Sequence, residues 1–196
     1  MIITDGVGQG YSAKVTKQNQ IQAYSESVAL QHYVSINNGQ AYQVIGDFTS
    51  MNNSTHTILH IKNDDPDRNL ILTYVRMSTV DQAGGTAPPS AGQYWQMGFG
   101  RTVSSGGTAV TPVNMNRDSG NSATVTVTDN NPTMTGTFTE IDRHYIDGEA
   151  DEHTYNKEGT IILGLNDTFE VRVTTSSTSG TAYCRASFLM IDPKDV

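Results

Sequence analysis

An all-β fold, a jelly-roll-like antiparallel β-sandwich carrying an extended N-terminal arm, is what this sequence predicts, and three observations predict it. Short segments of alternating apolar and polar residues recur from Ala41 onward, the period of a half-buried strand. Gly, Asn, Asp and Pro clusters separate them, as turns require. With 36% hydrophobic and only 16% charged residues among 196, neutral Thr, Ser, Asn and Gln fill the difference, and Thr suits a pleated, half-exposed surface.

The elements follow in order. Tyr42, Val44, Gly46 and Phe48 share one face of the first segment, and Leu59 and Ile61 share a face of the second. Asp64-Asp65-Pro66-Asp67 then forces a turn. The return segment, apolar on both faces through Leu70, Leu72, Tyr74 and Ile71, Val75, Met77, reads as an interior strand completing a hairpin. Beyond Ala83-Gly84-Gly85-Thr86-Ala87-Pro88-Pro89, the residues Trp95, Met97 and Phe99 carry the bulk of one face.

Val125 and Val127, then Met134 and Phe138 across Asn130-Asn131-Pro132, alternate with threonines that line a solvated face. Ile161, Leu163 and Leu165, a turn at Asn166-Asp167, and Phe169, Val171 and Val173 read as another hairpin. A last strand places Ala182, Cys184, Ala186, Phe188 and Met190 on one side and stops before Pro193. Eight to ten short strands with long, Gly-rich connections fit a jelly roll or related Greek-key sandwich.

Residues 1–40 differ, so the chain divides into an arm over 1–40 and a sandwich domain over 41–196. Gly6, Gly8 and Gly10 open a polar stretch in which Ile21, Tyr24 and Val28 fit a short helix. Val28, Leu30, His32, Val34 and Ile36 equally alternate as a strand would, and the extended reading is favoured. The N-terminus lacks the basic start and longer apolar run of a secretory signal, and no run approaches spanning length. A soluble, unprocessed chain with no membrane partner is expected.

A net charge of −8 and a pI near 4.9 argue against nucleic acid as a partner, because phosphate neutralisation needs Lys and Arg. Cys184 is the sole cysteine, which rules out an intrachain disulfide and a multi-cysteine metal site. Gly6-Val7-Gly8-Gln9-Gly10 lacks the spacing and the strand-to-helix context of a dinucleotide loop. Asp118-Ser119-Gly120 echoes a serine-protease nucleophile region, but Arg117 and Asn121 flank it where glycines belong. None of His32, His56, His60, His144 and His153 has a catalytic setting.

The most chemically loaded stretch is Asp142, His144, Asp147, Glu149, Asp151, Glu152 and His153. Its spacing matches no standard metal loop, and a solvated acidic loop is the reading adopted. A glycosidase built on these carboxylates would need one of them in an apolar pocket that raises its pKa. Tyr11, Tyr24, Tyr33, Tyr145 and Tyr155 could stack on sugars, but anchoring a protein interface needs fewer assumptions. The expectation is no enzyme, with no catalytic, cofactor-binding or metal site.

Gly8-Gln9-Gly10-Tyr11-Ser12-Ala13-Lys14-Val15, then Asn19-Gln20-Ile21 and Gly39-Gln40-Ala41-Tyr42, resembles the start of virion structural proteins of tailed bacteriophages. Capsid cement and decoration proteins are among these. The segment from Ile61-Lys62-Asn63 to Leu70-Ile71-Leu72 fits less specifically. The resemblance implies an arm-bearing sandwich on the outside of an icosahedral shell. It would form a homotrimer at local three-fold positions and clamp neighbouring major capsid protein subunits. The alternative is a tail or fibre module that binds a host-surface glycan.

Overall fold

The computed structural model describes residues 2–4, 12–15, 21–22, 33–80, 93–146, 152–156, 160–176 and 178–195, and the chain divides into two compact units, Met1–Leu30 and Gln31–Val196. In the first unit, β1 (Ile2–Thr4), β2 (Ser12–Val15) and β3 (Ile21–Gln22) form an antiparallel three-stranded sheet. Ile21 therefore lies on a strand and not in the short helix that Ile21, Tyr24 and Val28 would also fit. Tyr24 and Val28 lie outside the described residues.

The second unit opens with a π-helical turn over Val34–Asn38 that ends at Gly39 in the left-handed region, φ 58°. A Cβ there would stand 2.3 Å from the Ser119 hydroxyl, so this position requires glycine. Val34 is buried with Ala41, Ile71, Leu189 and Ile191 in a small second core cluster. The extended reading of Val34 and Ile36 thus gives way to a helical turn, and Val34 packs with the sandwich.

Twelve strands follow among the described residues. They are β4 (Ala41–Phe48), β5 (Ser54–Asn63), β6 (Asn69–Val80), β7 (Tyr94–Ser105), β8 (Thr108–Ala109), β9 (Val113–Asn114) and β10 (Val125–Asp129). Then come β11 (Thr133–Tyr145), β12 (Glu152–Tyr155), β13 (Ile161–Leu163), β14 (Thr168–Thr175) and β15 (Thr181–Ile191). One sheet has the order β11-β7-β14-β5-β10-β8 and the other β12-β6-β15-β4-β9, with β13 also pairing β6. All pairings are antiparallel, and four strands from each sheet, β4-β15-β6-β12 against β5-β14-β7-β11, stand in jelly-roll order.

The sandwich buries the residues that alternation places inside. Tyr42, Trp95, Phe169 and Phe188 are its largest fully buried side chains, packed with Leu59, Ile61, Met97 and Val171. Cys184, Ala186 and Met190 complete the inner face of β15. Among the described residues, those of this main core run from Tyr42 onward.

Neither expected hairpin forms, because β5 and β6 lie in different sheets, as do β13 and β14. Period-two alternation dictates which face of a strand is buried, not which strand it pairs with. The connection from β5 to β6 is an arch organised by Asp65, whose carboxylate accepts from the Asp67 and Arg68 backbone N–H groups at 3.0 Å and from Arg68 Nε at 2.8 Å. Asn63 Nδ2 donates to the Arg68 and Leu163 carbonyls, both at 2.9 Å, and so ties this arch to β13.

On the other side of β5 from β14, β10 ends at Asp129 opposite Leu59, which leaves Thr57 beyond the β10 ladder. The turn after β10 supplies its partners: Asn131 Oδ1 accepts from the Thr57 N–H at 3.1 Å, and the Asn131 N–H donates to the Thr57 carbonyl at 3.0 Å. Asn130 and Asn131 both take positive φ, 57° and 53°, which asparagine tolerates better than most residues.

Candidate functional site

The outward face of the β12-β6-β15-β4-β9 sheet can be laid out rung by rung from its registers. One rung carries Asp47, Tyr183, Ser78 and Glu152; the next carries Ile45, Arg185, Arg76 and Thr154. A third carries Val113, Gln43, Ser187 and Tyr74. Those on β4, β6 and β15 each sit one position away from a buried residue, because successive side chains of a strand point to opposite faces. Val75, Met77, Cys184 and Ala186 pack inward, and so Arg76 and Arg185 face out.

Two arginines directly across a ladder repel one another. Arg76 is held by an ion pair with Glu152 on the neighbouring strand, which raises its pKa above the ordinary guanidinium value. Arg185 makes no hydrogen bond or ion pair among the described residues. The pair borders a shallow depression of about 260 Å³ flanked by Ile45 and Tyr183, which are 53% and 38% exposed. Exposed Val80 and Val113 extend the apolar surface. Arginine and tyrosine on an exposed face are residue types enriched at protein interfaces.

Cys184 lies beneath this depression, wholly buried, and burial pushes its thiol far above the usual range. A thiol held protonated is a poor nucleophile.

The other residues singled out by the sequence scatter. Ser119 donates to the Gly39 carbonyl at 3.2 Å and accepts from the Asn121 N–H at 3.1 Å, which gives it a role in closing the turn beside Val34–Asn38. His56 is buried against the Phe48 ring, centroids 4.7 Å apart, with Nε2 at Asn52. His60 lies on the same strand, β5, its Nε2 3.0 Å from the Arg101 carbonyl oxygen. Burial lowers its pKa, opposed by that hydrogen bond.

His144 on β11 and His153 on β12 do come together, stacked with centroids 3.9 Å apart and planes 7° from parallel. A metal ion sits in the plane of the imidazole that binds it, so two parallel stacked rings do not converge on one ion. No group of three or more His, Cys, Asp or Glu able to hold a metal occurs among the described residues. Asp147, Glu149 and Asp151 of the expected acidic loop lie outside them, as do Gly6, Gly8, Gly10, Tyr11, Tyr24 and His32.

Of the tyrosines, Tyr33 and Tyr145 are 50% and 57% exposed, whereas Tyr155 packs against the core. Tyr145 meets Tyr94 edge-on, and Arg143 lies 4.4 Å over the Tyr94 ring while its guanidinium binds Glu140 through two nitrogens. Sequence reading did not single out the arginine–tyrosine face. Its only signal was the placing of Arg76 and Arg185 between core residues, and their juxtaposition needs the register. No protein-family model, curated protein or solved structure matches this chain.

Proposed function

We propose that this chain is a non-enzymatic structural protein of a bacteriophage virion, a capsid cement or decoration protein that binds the outer shell as a homotrimer and reinforces contacts between major capsid subunits. The observation that carries the reading is the division of the chain. Residues Gln31–Val196 form one compact unit that holds the sandwich, and Met1–Leu30 form another, whose described strands have 3, 4 and 2 residues. Sheets that small rarely stand alone.

Ordering such a segment costs about 1–2 kcal/mol per residue in backbone entropy. A neighbouring capsid subunit supplies the contacts that offset it. The arginine–tyrosine face supplies a second attachment, with Arg185 available for a carboxylate of the shell. Repetition over a symmetric lattice adds avidity to contacts that are individually weak.

Quantitative mass spectrometry of purified virions tests the reading. Copies comparable to the number of major capsid subunits are expected. A handful per particle, confined to the tail, would move the protein to the tail or fibre class.

A further inference from the structure

Away from the arginine–tyrosine face, a cleft of about 370 Å³ opens between the two sheets, at the low end of the roughly 300–1,000 Å³ of small-molecule sites. Phe99, Gly100 and Thr102 of β7 form one wall; Ile162 and Leu163 of β13 form the other. Asn166, Asp167 and Thr168, from the arch that joins β13 to β14, close the rim. The floor is apolar: Leu163 is buried, the Phe99 ring leans on Phe169 with centroids 6.3 Å apart, and Ile162 is 53% exposed.

The rim is polar and held in place. Asp167 Oδ2 accepts from the Gly164 N–H at 2.9 Å, and the Asp167 N–H donates to the Gly164 carbonyl at 3.1 Å. Asp167 Oδ1 and the Asn166 carboxamide have no protein partner among the described residues. Asn166 stands at φ 67°, a left-handed position that asparagine tolerates better than most residues. Opposite it, Gly100 at φ 90° donates to Thr168 Oγ1 at 3.3 Å.

We propose that this cleft binds a neutral monosaccharide unit, with its C–H face on Phe99 and Ile162 and its hydroxyls on Asn166 and Asp167. The other ligand classes fit worse. A purely apolar ligand would strip water from the Asn166 amide and the Asp167 carboxylate without replacing their hydrogen bonds. An anion meets Asp167 in a chain of net charge −8. A cation finds one carboxylate above an apolar floor, too few oxygen ligands for a hard ion. A polyol with one apolar side satisfies both surfaces. The site is independent of capsid attachment, since a shell-bound copy could carry it as readily as a tail-bound one.

The test is a titration of the ¹⁵N-labelled full chain, followed by amide shifts, with the methyl glycosides of glucose, galactose, mannose and N-acetylglucosamine. N-acetylneuraminic acid is the anionic control. Saturable shifts at Gly100, Thr102, Asn166 and Asp167 with at least one neutral glycoside, in the millimolar range or tighter, are expected. Asn166→Gly relieves the left-handed backbone and so keeps the fold, yet should weaken that binding about tenfold; Ile162→Ser, at an exposed position, should do likewise. No saturable shift with any neutral glycoside overturns the proposal. So does unchanged binding by both variants, or equal binding of the anionic control.

Discussion

Replacing Asp65 tests the arch that carries the chain from one sheet to the other. Its side chain is 5% exposed and accepts from two backbone N–H groups and from the Arg68 guanidinium. Hydrogen bonds to a charged group contribute about 1.5–3 kcal/mol each. Arg68 keeps 23% of its side chain exposed and regains water when released. Asp65→Ala should therefore cost about 3 kcal/mol rather than the sum of its bonds. Asp65→Asn keeps an acceptor oxygen for the backbone and should cost about half as much.

For a domain of this size, about 3 kcal/mol corresponds to a fall in Tm of roughly 6–12 °C. Urea unfolding with an unchanged m-value, supported by calorimetry, measures it. Burial raises the Asp65 pKa, but the hydrogen bonds from Asp67 and Arg68 and the Arg68 charge outweigh it, leaving the group below its ordinary value. Its contribution is therefore present above the unfolded value of about 3.9 and is lost as pH falls through the folded one. The gap between Asp65→Ala and wild type should narrow below about pH 4. A variant within about 0.5 kcal/mol of wild type at neutral pH would refute this account of the arch.

Two further outcomes follow from buried positions. His60 has a lowered pKa because burial disfavours its charged form, so the unfolded chain takes up the proton first. Stability should fall as pH drops below about 6.5, and His60→Gln should flatten that slope between pH 7 and 5; equal slopes would contradict the assignment. A Cβ added at Gly98 would lie 2.4 Å from the Thr139 carbonyl oxygen and 2.6 Å from the Phe138 ring, so Gly98→Ala should cost about 1–3 kcal/mol in urea unfolding.

Much of the fold was legible because burial and strand period coincide. Tyr42 and Val44, Trp95 and Met97, Phe169 and Val171, and the inner row of β15 all lie where alternation places them. Strand partners were not legible. β5 and β6 are close in sequence and joined by a tight turn, yet each pairs with strands about a hundred residues away. In β11, three register shifts break the alternation, so Phe138 lies across Gly98 with Arg172 3.5 Å over its ring instead of following a simple two-residue rule.

The candidate sites depend on the same missing information. Arg76 and Arg185 are 109 positions apart and become neighbours only through the β6 to β15 ladder. The cleft brings Phe99 to Asn166 through strands of different sheets. Composition holds no trace of either meeting.

Binding of purified chain to virions stripped of it tests the attachment proposal most directly, comparing the full chain, a chain that begins at Gln31, and full-length Arg185→Glu. The shortened chain should stay folded, because Gln31–Val196 is a compact unit of its own, and should lose at least tenfold in affinity. Arg185→Glu, at an exposed position, should weaken binding with its Tm unchanged. Full-strength binding by the shortened chain would contradict the role given to the arm, and with it the proposed attachment.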